Sequence, residues 1–172
     1  MMVIRMIAIP EGVTVQVSGK KITAKGPKGT VEKEYNVKGL LLSVNGKEIS
    51  VEKAEGAKLG TDVLNAVRKG VLNMCIGADE GYTKNMQLIY AHFPISLEIK
   101  GGTMKIKNFL GEKQSREARI IGATKIEVKG QNITITGPDK EAVGQTVANI
   151  KTATKIKNRD PRVFQDGLYI VE

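Results

Sequence analysis

The sequence predicts an α+β protein of two tandem homologous domains, each with antiparallel strands packed against one main helix. Three observations lead to this prediction. A long stretch of sequence occurs twice, both copies alternate apolar and polar residues as half-buried strands do, and each copy ends in a stretch with helical spacing. A repeat of this length indicates two copies of a small domain, because solenoids need three or more shorter units.

The repeat aligns VTVQVSGKKITAKGPKG, which starts at Val13, with ISLEIKGGTMKIKNFLG, which starts at Ile95, without a gap at an offset of 82 (95 − 13). Further on, LSVNGKEISV (42–51) matches IEVKGQNITI (126–135) at an offset of 84 (126 − 42). We therefore divide the 172 residues into a first domain, 1–86, and a second domain, 87–172, which carries a basic C-terminal extension. Domains of this size bury modest cores.

In the first domain, period-two alternation predicts five strands before a helix. Turns with Gly and Pro separate the first three strands, and Asn45-Gly46 is a strong signal for a hairpin. Apolar residues with helical spacing then predict a helix, and a last strand leads to Pro94. The predicted elements are strands Val13–Val17, Lys21–Lys25, Val31–Asn36, Leu40–Val44 and Glu48–Val51, helix Ala57–Gly77 and strand Met86–Ala91.

The second domain repeats this order, with predicted hairpins over residues 95–121 and 125–136. Either Pro138 or Asp139 opens the helix, because a fixed φ and a negative charge both suit a first helical turn. The helix is expected to end within 151–155. The sequence KIKNRDPRVFQDGLYIVE follows without a counterpart in the first domain, and we predict an irregular basic extension with a short final strand.

The charge of the chain indicates a polyanionic partner. The net charge is +9, and Lys and Arg exceed Asp and Glu in both halves, by 13 to 9 in residues 1–90 and by 14 to 9 in 91–172. Such a surface favours nucleic acid first and an anionic membrane second. A lysine-rich surface without any partner is the remaining alternative.

The composition, 41% apolar and 26% charged, is that of a soluble folded protein. The chain has no apolar run of about 18 residues, so we expect no membrane span. MMVIRMIAIP is too short and too soon interrupted by Pro10 to predict a signal peptide. The single Cys75 excludes an internal disulfide and predicts a buried apolar side chain in a reduced, cytoplasmic protein.

The sequence predicts no metal site, no cofactor and no catalytic residue. His92 is the only histidine, and with one cysteine it indicates packing or hydrogen bonding rather than metal binding. KGPKGT (25–30) and FLGEKQS (109–115) contain Gly and Lys but lack the GxxxxGK[ST] spacing of a phosphate loop. An enzyme that uses such a turn for phosphate is a competing hypothesis, which a dependence on nucleotide would test.

Clusters of basic residues predict nucleic-acid binding. The densest covers residues 151–162, where only Asp160 opposes the positive charge, and others lie between 113 and 119 and in the first hairpin at 20–28. The chain has seven aromatic residues, most of them within apolar patterns. We therefore expect recognition of RNA shape and phosphates rather than stacking on single-stranded bases. The candidates are Lys151, Lys155, Lys157, Arg159 and Arg162, with Lys113, Arg116 and Arg119.

Five motifs together give the chain a resemblance to a known family. They are KGPKGT (25–30), YAHFPI (90–95), NFLGEK (108–113), GPDKEAVGQTVANI (137–150) and DPRVFQDGLYI (160–170), and they span nearly the whole chain in the right order. The chain resembles the universal large-subunit ribosomal protein L6 family in its archaeal and eukaryotic form, which is called L9 in eukaryotes. The family shows the same duplication of an α+β domain.

The resemblance implies a structural constituent of the large ribosomal subunit, without enzymatic activity, that works in the cytoplasm. It implies binding to 23S-type ribosomal RNA near the sarcin–ricin loop and the stalk base, beside other large-subunit proteins and in transient proximity to translational GTPases. The second domain and the C-terminal segment would make the RNA contacts, and Lys140 joins the candidates on this ground. A ribosome-independent RNA-binding module, such as an RNA chaperone, is the alternative.

Overall fold

A computed structural model describes residues 5–160 and 162–171 of the chain, without the side chain of Arg5. The described residues form two compact units; the first ends at Gly81 and the second begins at Tyr82, although Pro138–Lys140 group with the first unit. Each unit contains antiparallel sheets and one α-helix, which confirms the predicted α+β class.

The first unit contains two three-stranded antiparallel sheets and a helix. One sheet has the order β1-β6-β5 and the other β2-β3-β4. Buried aliphatic residues of all these elements form one core, in which Ile22, Ile49 and Val71 are fully buried. The elements are β1 (Arg5–Ala8), β2 (Thr14–Ser18), β3 (Lys21–Gly26), β4 (Gly29–Glu34), β5 (Leu40–Asn45), β6 (Glu48–Lys53) and α1 (Thr61–Asp79).

The second unit contains a sheet of order β10-β9-β8, a four-stranded sheet of order β11-β12-β7-β13, and a helix. Its core is separate, with Phe109, Ile133 and Ile150 almost fully buried. The elements are β7 (Tyr82–Ile89), β8 (Ser96–Lys100), β9 (Thr103–Lys107), β10 (Arg116–Arg119), β11 (Lys125–Lys129), β12 (Asn132–Gly137), α2 (Lys140–Ala153) and β13 (Gly167–Val171), and a short 3₁₀ turn covers Phe109–Gly111.

The two units repeat one topology, as the sequence repeat predicted. In each, a hairpin with a third strand forms one sheet, namely β2-β3-β4 and β8-β9-β10. A second hairpin pairs with one further strand, β1 in the first unit and β7 in the second, and the helix follows that hairpin. β13 adds to the free side of β7 and has no counterpart among the described strands of the first unit. This strand is the predicted short final strand.

The structure differs from the predicted elements at several places. β1 was not predicted, because its strand form depends on pairing with the distant β6. α2 begins at Lys140, just after the predicted Pro138 or Asp139. α1 begins at Thr61 rather than Ala57, because the N-terminal cap Gly60 is extended (φ −72°, ψ 155°). Leu59 packs on the core from this extended segment, which made it match a helical pattern.

β7 begins at Tyr82, and it pairs with β12 and β13 of the second unit along its length. The boundary drawn from the sequence between residues 86 and 87 falls inside this strand. The structure also buries Cys75 completely, as predicted, and burial raises the pKa of its thiol. The side chain is therefore a packing group and not a reactive thiolate.

Candidate nucleic-acid interface

The densest cluster of positive charge begins in the last turn of α2 and continues to the approach to β13. We call residues 151–162 the basic segment; Pro161 within it lies outside the described residues. Every cationic side chain of the segment is exposed to solvent, and the described residues between α2 and β13 have no regular secondary structure. The exposed cations are Lys151, Lys155, Lys157, Arg159 and Arg162.

The start of the basic segment is held by Arg116 of β10. Its Nη1 donates hydrogen bonds to the carbonyl oxygens of Ala153, at 2.9 Å, and Lys155, at 3.0 Å. Carbonyl groups at the end of a helix lack partners within the helix and carry its partial negative charge. The guanidinium therefore satisfies the end of α2 and fixes the direction in which the basic segment leaves it.

Arg116 is itself fixed by two further contacts. Its Nε and Nη2 donate to the two carboxylate oxygens of Glu112, at 2.8 and 2.6 Å, in a bidentate ion pair. Its guanidinium carbon lies 4.3 Å from the centre of the buried Phe109 ring. Four of its five N–H donors thus face protein acceptors. The sequence placed Arg116 among the RNA contacts, and the structure gives it the role of supporting the segment.

Glu112 connects this support to Arg159. Its pKa is lowered, mainly by the hydrogen bonds from Arg116, against the opposing effect of burial and with smaller contributions from the charges of Arg116 and Arg159. Arg159 also lies over the ring of Phe164, with its guanidinium carbon 4.7 Å from the ring centre. A guanidinium stacked by its face keeps its edge N–H groups available to an anion.

The end of the basic segment is a tight turn around Asp160. The carboxylate oxygen Oδ1 of Asp160 accepts the backbone N–H of Arg162 at 2.9 Å. Its carbonyl oxygen accepts the N–H groups of Val163, at 3.2 Å, and Phe164, at 3.0 Å. The one acidic residue of the segment therefore shapes the backbone, as Asp does in turns.

Asp166 anchors the chain beyond this turn. It is almost fully buried, and its Oδ1 accepts the backbone N–H of Ala91, at 3.0 Å, and contacts Nδ1 of His92, at 3.2 Å. The His92 ring stacks on Phe164 with the ring centres 4.7 Å apart. The prediction that His92 serves packing and hydrogen bonding is confirmed.

The pKa of the Asp166 carboxyl reflects opposing effects. Burial is the largest single effect and raises this pKa. It is outweighed by hydrogen bonds from the backbone of Ala91 and from the side chain and backbone of His92, together with the charge of His92. The net result is a pKa below the ordinary value. The folded protein therefore favours the ionised carboxylate, which ties the chain on both sides of Asp166 to residues 91–92.

The structure brings some of the other predicted RNA contacts to the basic segment and not others. Lys113 is exposed next to Glu112, and Arg119 is exposed on β10, where its carbonyl oxygen accepts Nδ2 of Asn149 in α2 at 3.0 Å. Lys140 lies in the first turn of α2, about 16 Å along the helix axis from Lys151. It therefore lies apart from the basic segment.

The lysines of the first hairpin form a weaker positive cluster than the sequence indicated. Lys21 makes an ion pair with Glu32, and Nζ of Lys20 donates to Oδ1 of Asn36 at 2.9 Å. Lys25 lies further along β3, and Lys28 follows that strand. Glu32 thus offsets part of the charge of this cluster.

The structure corrects the expectation about aromatic residues. Of the seven in the sequence, only Phe109 is fully buried, whereas Tyr90, Phe93 and Tyr169 are 38%, 44% and 43% exposed. Tyr169 is exposed because it lies in the edge strand β13, where its neighbour Leu168 is buried instead. The sequence predicted a short final strand here, but the apolar run GLYIV does not indicate that the strand lies at an edge, where Tyr169, Ile170 and Val171 are all exposed.

Comparison with known proteins identifies close relatives. A sequence model described as ribosomal protein L6 matches residues 93–167, a range that includes Arg116 and the basic segment. The large ribosomal subunit protein uL6 of Methanosarcina mazei is 46% identical over 168 residues, which cover 98% of this chain and 96% of that protein.

The relatives come from distant archaea. The protein of the same name from Methanospirillum hungatei is 42% identical over 171 residues, 99% of this chain and 97% of that protein. That of Staphylothermus marinus is 42% identical over 170 residues, 96% and 92% of the two chains. None of the helices in the described part of the chain is long and apolar enough to cross a membrane.

Arg116→Ala is expected to lower the free energy of unfolding by about 1–3 kcal/mol, because it leaves the carbonyls of Ala153 and Lys155 and the carboxylate of Glu112 without their donor. Chemical denaturation would measure the loss. Arg119→Ala, on the same strand but exposed, is the matched control and is expected to change stability by less than about 0.5 kcal/mol. Equal effects of the two substitutions would contradict the assigned role of Arg116.

Asp166→Asn is expected to reduce the dependence of stability on acid pH. Because the folded pKa of Asp166 is lowered, its ionised form stabilises the fold above the ordinary pKa of 3.8, and this contribution is lost as the pH falls through the folded value. Urea midpoints at about pH 5 and about pH 2 should therefore differ less in the variant than in the unchanged protein. Glu98, whose pKa the hydrogen bonds from Lys100 and Lys107 lower to about 2, keeps part of the dependence in both proteins. The same loss in both would refute the role of Asp166.

Proposed function

The chain belongs to the ribosomal protein L6 family, and from that premise we propose that it is a structural component of the large ribosomal subunit that binds 23S-type ribosomal RNA through the basic segment. Members of this family are structural proteins, and the chain is not an enzyme. Its place is the cytoplasm, within the large subunit, with ribosomal RNA and other ribosomal proteins as partners.

The observation that supports the RNA-binding site most strongly is the combination of exposed charge and fixed backbone. Five cations project from the basic segment, and the segment is tied at its start by Arg116 and at its end by the Asp160 turn and buried Asp166. Cations that displace counterions from RNA phosphates supply affinity. A fixed backbone sets the register in which those phosphates are met.

The individual residues suit different contacts within this proposal. Arg159 and Arg162 can each bind a phosphate with two parallel hydrogen bonds, and the lysines act as point charges. Lys113 and Arg119 extend the positive surface towards β10, and Lys140 would contact RNA at a separate place. Arg116 contributes by holding the segment.

The proposal also includes the position of the protein within the large subunit. The motifs YAHFPI (90–95), NFLGEK (108–113) and DPRVFQDGLYI (160–170) resemble those of the family, in which the protein lies near the sarcin–ricin loop and the stalk base. We infer the same place here, beside the proteins of the stalk base and in transient proximity to translational GTPases. All three motifs contain residues that hold the basic segment or the chain just beyond it.

Co-sedimentation tests the ribosomal role directly. Native lysate would be separated on a high-salt sucrose gradient, and one copy of the protein per large subunit is the expected result. A protein that stays at the top of the gradient while the subunits remain intact would instead be a free RNA-binding module or an RNA chaperone. Such a module would also bind many RNAs with similar affinity.

Arg159→Ala combined with Arg162→Ala is expected to weaken binding to large-subunit ribosomal RNA. With five phosphates neutralised, the logarithm of the binding constant should fall with the logarithm of salt concentration with a slope of roughly −3.5 to −4.5. The double change should make this slope less steep by roughly 1.4 to 1.8, because two counterion-releasing contacts are lost. Filter binding over a series of salt concentrations measures this slope, and circular dichroism checks that the variant is folded.

The matched control for this experiment is Lys125→Ala combined with Lys129→Ala. These two exposed lysines lie on β11, at the edge of the four-stranded sheet opposite β13, and the double change removes the same charge from the same unit. The control should leave the salt slope near that of the unchanged protein. If both double variants lose the same slope, the positive charge acts without a defined site, and the assignment to the basic segment is wrong.

A further inference from the structure

A groove of about 600 Å³ lies beside the basic segment, within the second unit. The last turn of α2 and the residues after it form one wall, and Phe164 with the first residues of β13 forms the other. Its volume falls within the range of roughly 300–1,000 Å³ that is common for small-ligand sites. The lining residues that matter here are Lys151, Lys155, Ile156, Phe164, Leu168 and Tyr169.

Tyr169 presents an ordered aromatic surface in this groove. Its hydroxyl donates a hydrogen bond to the carbonyl oxygen of Gln165 at 3.1 Å, which fixes one end of the ring. A Cβ atom placed on Gly167 would lie 3.3 Å from Cε2 and 3.5 Å from Cζ and Oη of Tyr169, so the ring lies against the Gly167 backbone. The side chain is nevertheless 43% exposed, so part of the ring faces solvent.

The rest of the lining has two chemical characters. Leu168, Ile156 and Phe164 supply apolar surface, of which Leu168 is buried and the other two are half-buried. Lys151, in the last turn of α2, and Lys155, just after the helix, both line the groove and are exposed to solvent. The groove therefore suits a ligand with a flat apolar face and negative charge next to it.

We propose that this groove holds one unstacked nucleobase of the bound RNA, with the base against the Tyr169 ring and its flanking phosphates beside Lys151 and Lys155. A nucleotide has the two characters that the groove offers, since every base has a π-face and every linkage a phosphate. The apolar side chain of a protein partner would leave the lysines at the rim without a role. This inference rests on the proposed function, because it needs RNA at the basic segment.

A base bound in this groove would add a second kind of RNA recognition to the phosphate contacts. Phosphate contacts position a protein on RNA but carry no sequence information, whereas a base that is drawn out of the stack can be recognised individually. The sequence favoured recognition of RNA shape and phosphates, without stacking on bases, because most aromatic residues fell in apolar patterns. The exposed ring of Tyr169, held over Gly167, adds a stacking surface at the edge of the phosphate-binding segment.

Tyr169→Leu tests the groove with purified protein and large-subunit ribosomal RNA. Stacking of one base is worth roughly 1–3 kcal/mol, so the affinity should fall roughly 5- to 150-fold. The salt slope should stay unchanged, because no charge is removed. Tyr169→Phe keeps the ring and should stay within about threefold of the unchanged protein, which separates loss of stacking from loss of the hydrogen bond to Gln165.

Tyr90→Leu is the matched control. Tyr90 is 38% exposed in the same unit, but it does not line the groove, and its replacement should leave the affinity unchanged. Equal losses for Tyr90→Leu and Tyr169→Leu would overturn the groove assignment. An unchanged RNA affinity of Tyr169→Leu would also overturn the groove assignment. The proposed function would still stand in that case, as long as the unchanged protein binds the RNA. Failure of the unchanged protein to bind this RNA would count against the proposed function itself.

Ultraviolet cross-linking of native large subunits gives a second readout that a purely structural role would not produce. After digestion with nuclease and protease, mass spectrometry should find a nucleotide adduct on Tyr169. Adducts on Arg159 or Arg162 with none on Tyr169 would overturn the inference. If Tyr169→Leu keeps its RNA affinity but the protein dissociates from subunits in salt, a protein side chain occupies the groove, and the base-binding inference is wrong.

Discussion

The second unit depends on one guanidinium. Arg116 satisfies the end of α2, pairs with Glu112 and packs on Phe109, so a strand, a turn and a helix end are joined at one point. A part-buried cation is stable there because nearly all its donors are bonded and its charge meets both a carboxylate and the negative end of a helix. The position of the basic segment follows from this contact, since the segment begins at the carbonyls that Arg116 binds. A lysine could not replace it, because a single ammonium lacks the planar fork that reaches both groups.

The duplication explains how the proposed RNA-binding surface can lie in one copy only. Both units use the same hairpins and one helix, so the fold itself requires no cation at the end of the helix. α1 has no basic residue in its last turn and its chain goes on to Glu80, whereas α2 has Lys151 there and continues into the basic segment. The added β13 then returns the chain to the sheet beside β7. The extension thus uses an edge of the repeated fold as an anchor, and it covers an edge strand that would otherwise be open to other chains.

Local features were predictable from the sequence, and long-range ones were not. The hairpin around Asn45-Gly46 follows from two neighbouring residues, and Gly46 indeed has a positive φ of 61°. The role of Arg116 depends on carbonyls that lie 37 and 39 residues further along the chain, and no pattern near residue 116 indicates them. The sequence therefore indicated the exposed charge of the basic segment, but it gave no sign that Arg116 also holds that segment in place. The exposure of Tyr169 also depends on the position of β13 at the edge of its sheet, which the local sequence GLYIV does not specify.

The way the basic segment is held bears on the choice between a ribosomal component and a free RNA chaperone. A chaperone that binds many RNAs gains from a mobile charged chain, because mobile charges adapt to different phosphate arrangements. Here the segment is bonded at its start through Arg116, turned through Asp160 and anchored through Asp166, whose carboxylate stays ionised although it is buried. Ordering a backbone costs conformational entropy, and a protein that orders it before binding loses less on binding one matching surface. This arrangement favours one defined RNA surface, and counterion release from that surface then supplies affinity without further rearrangement of the chain.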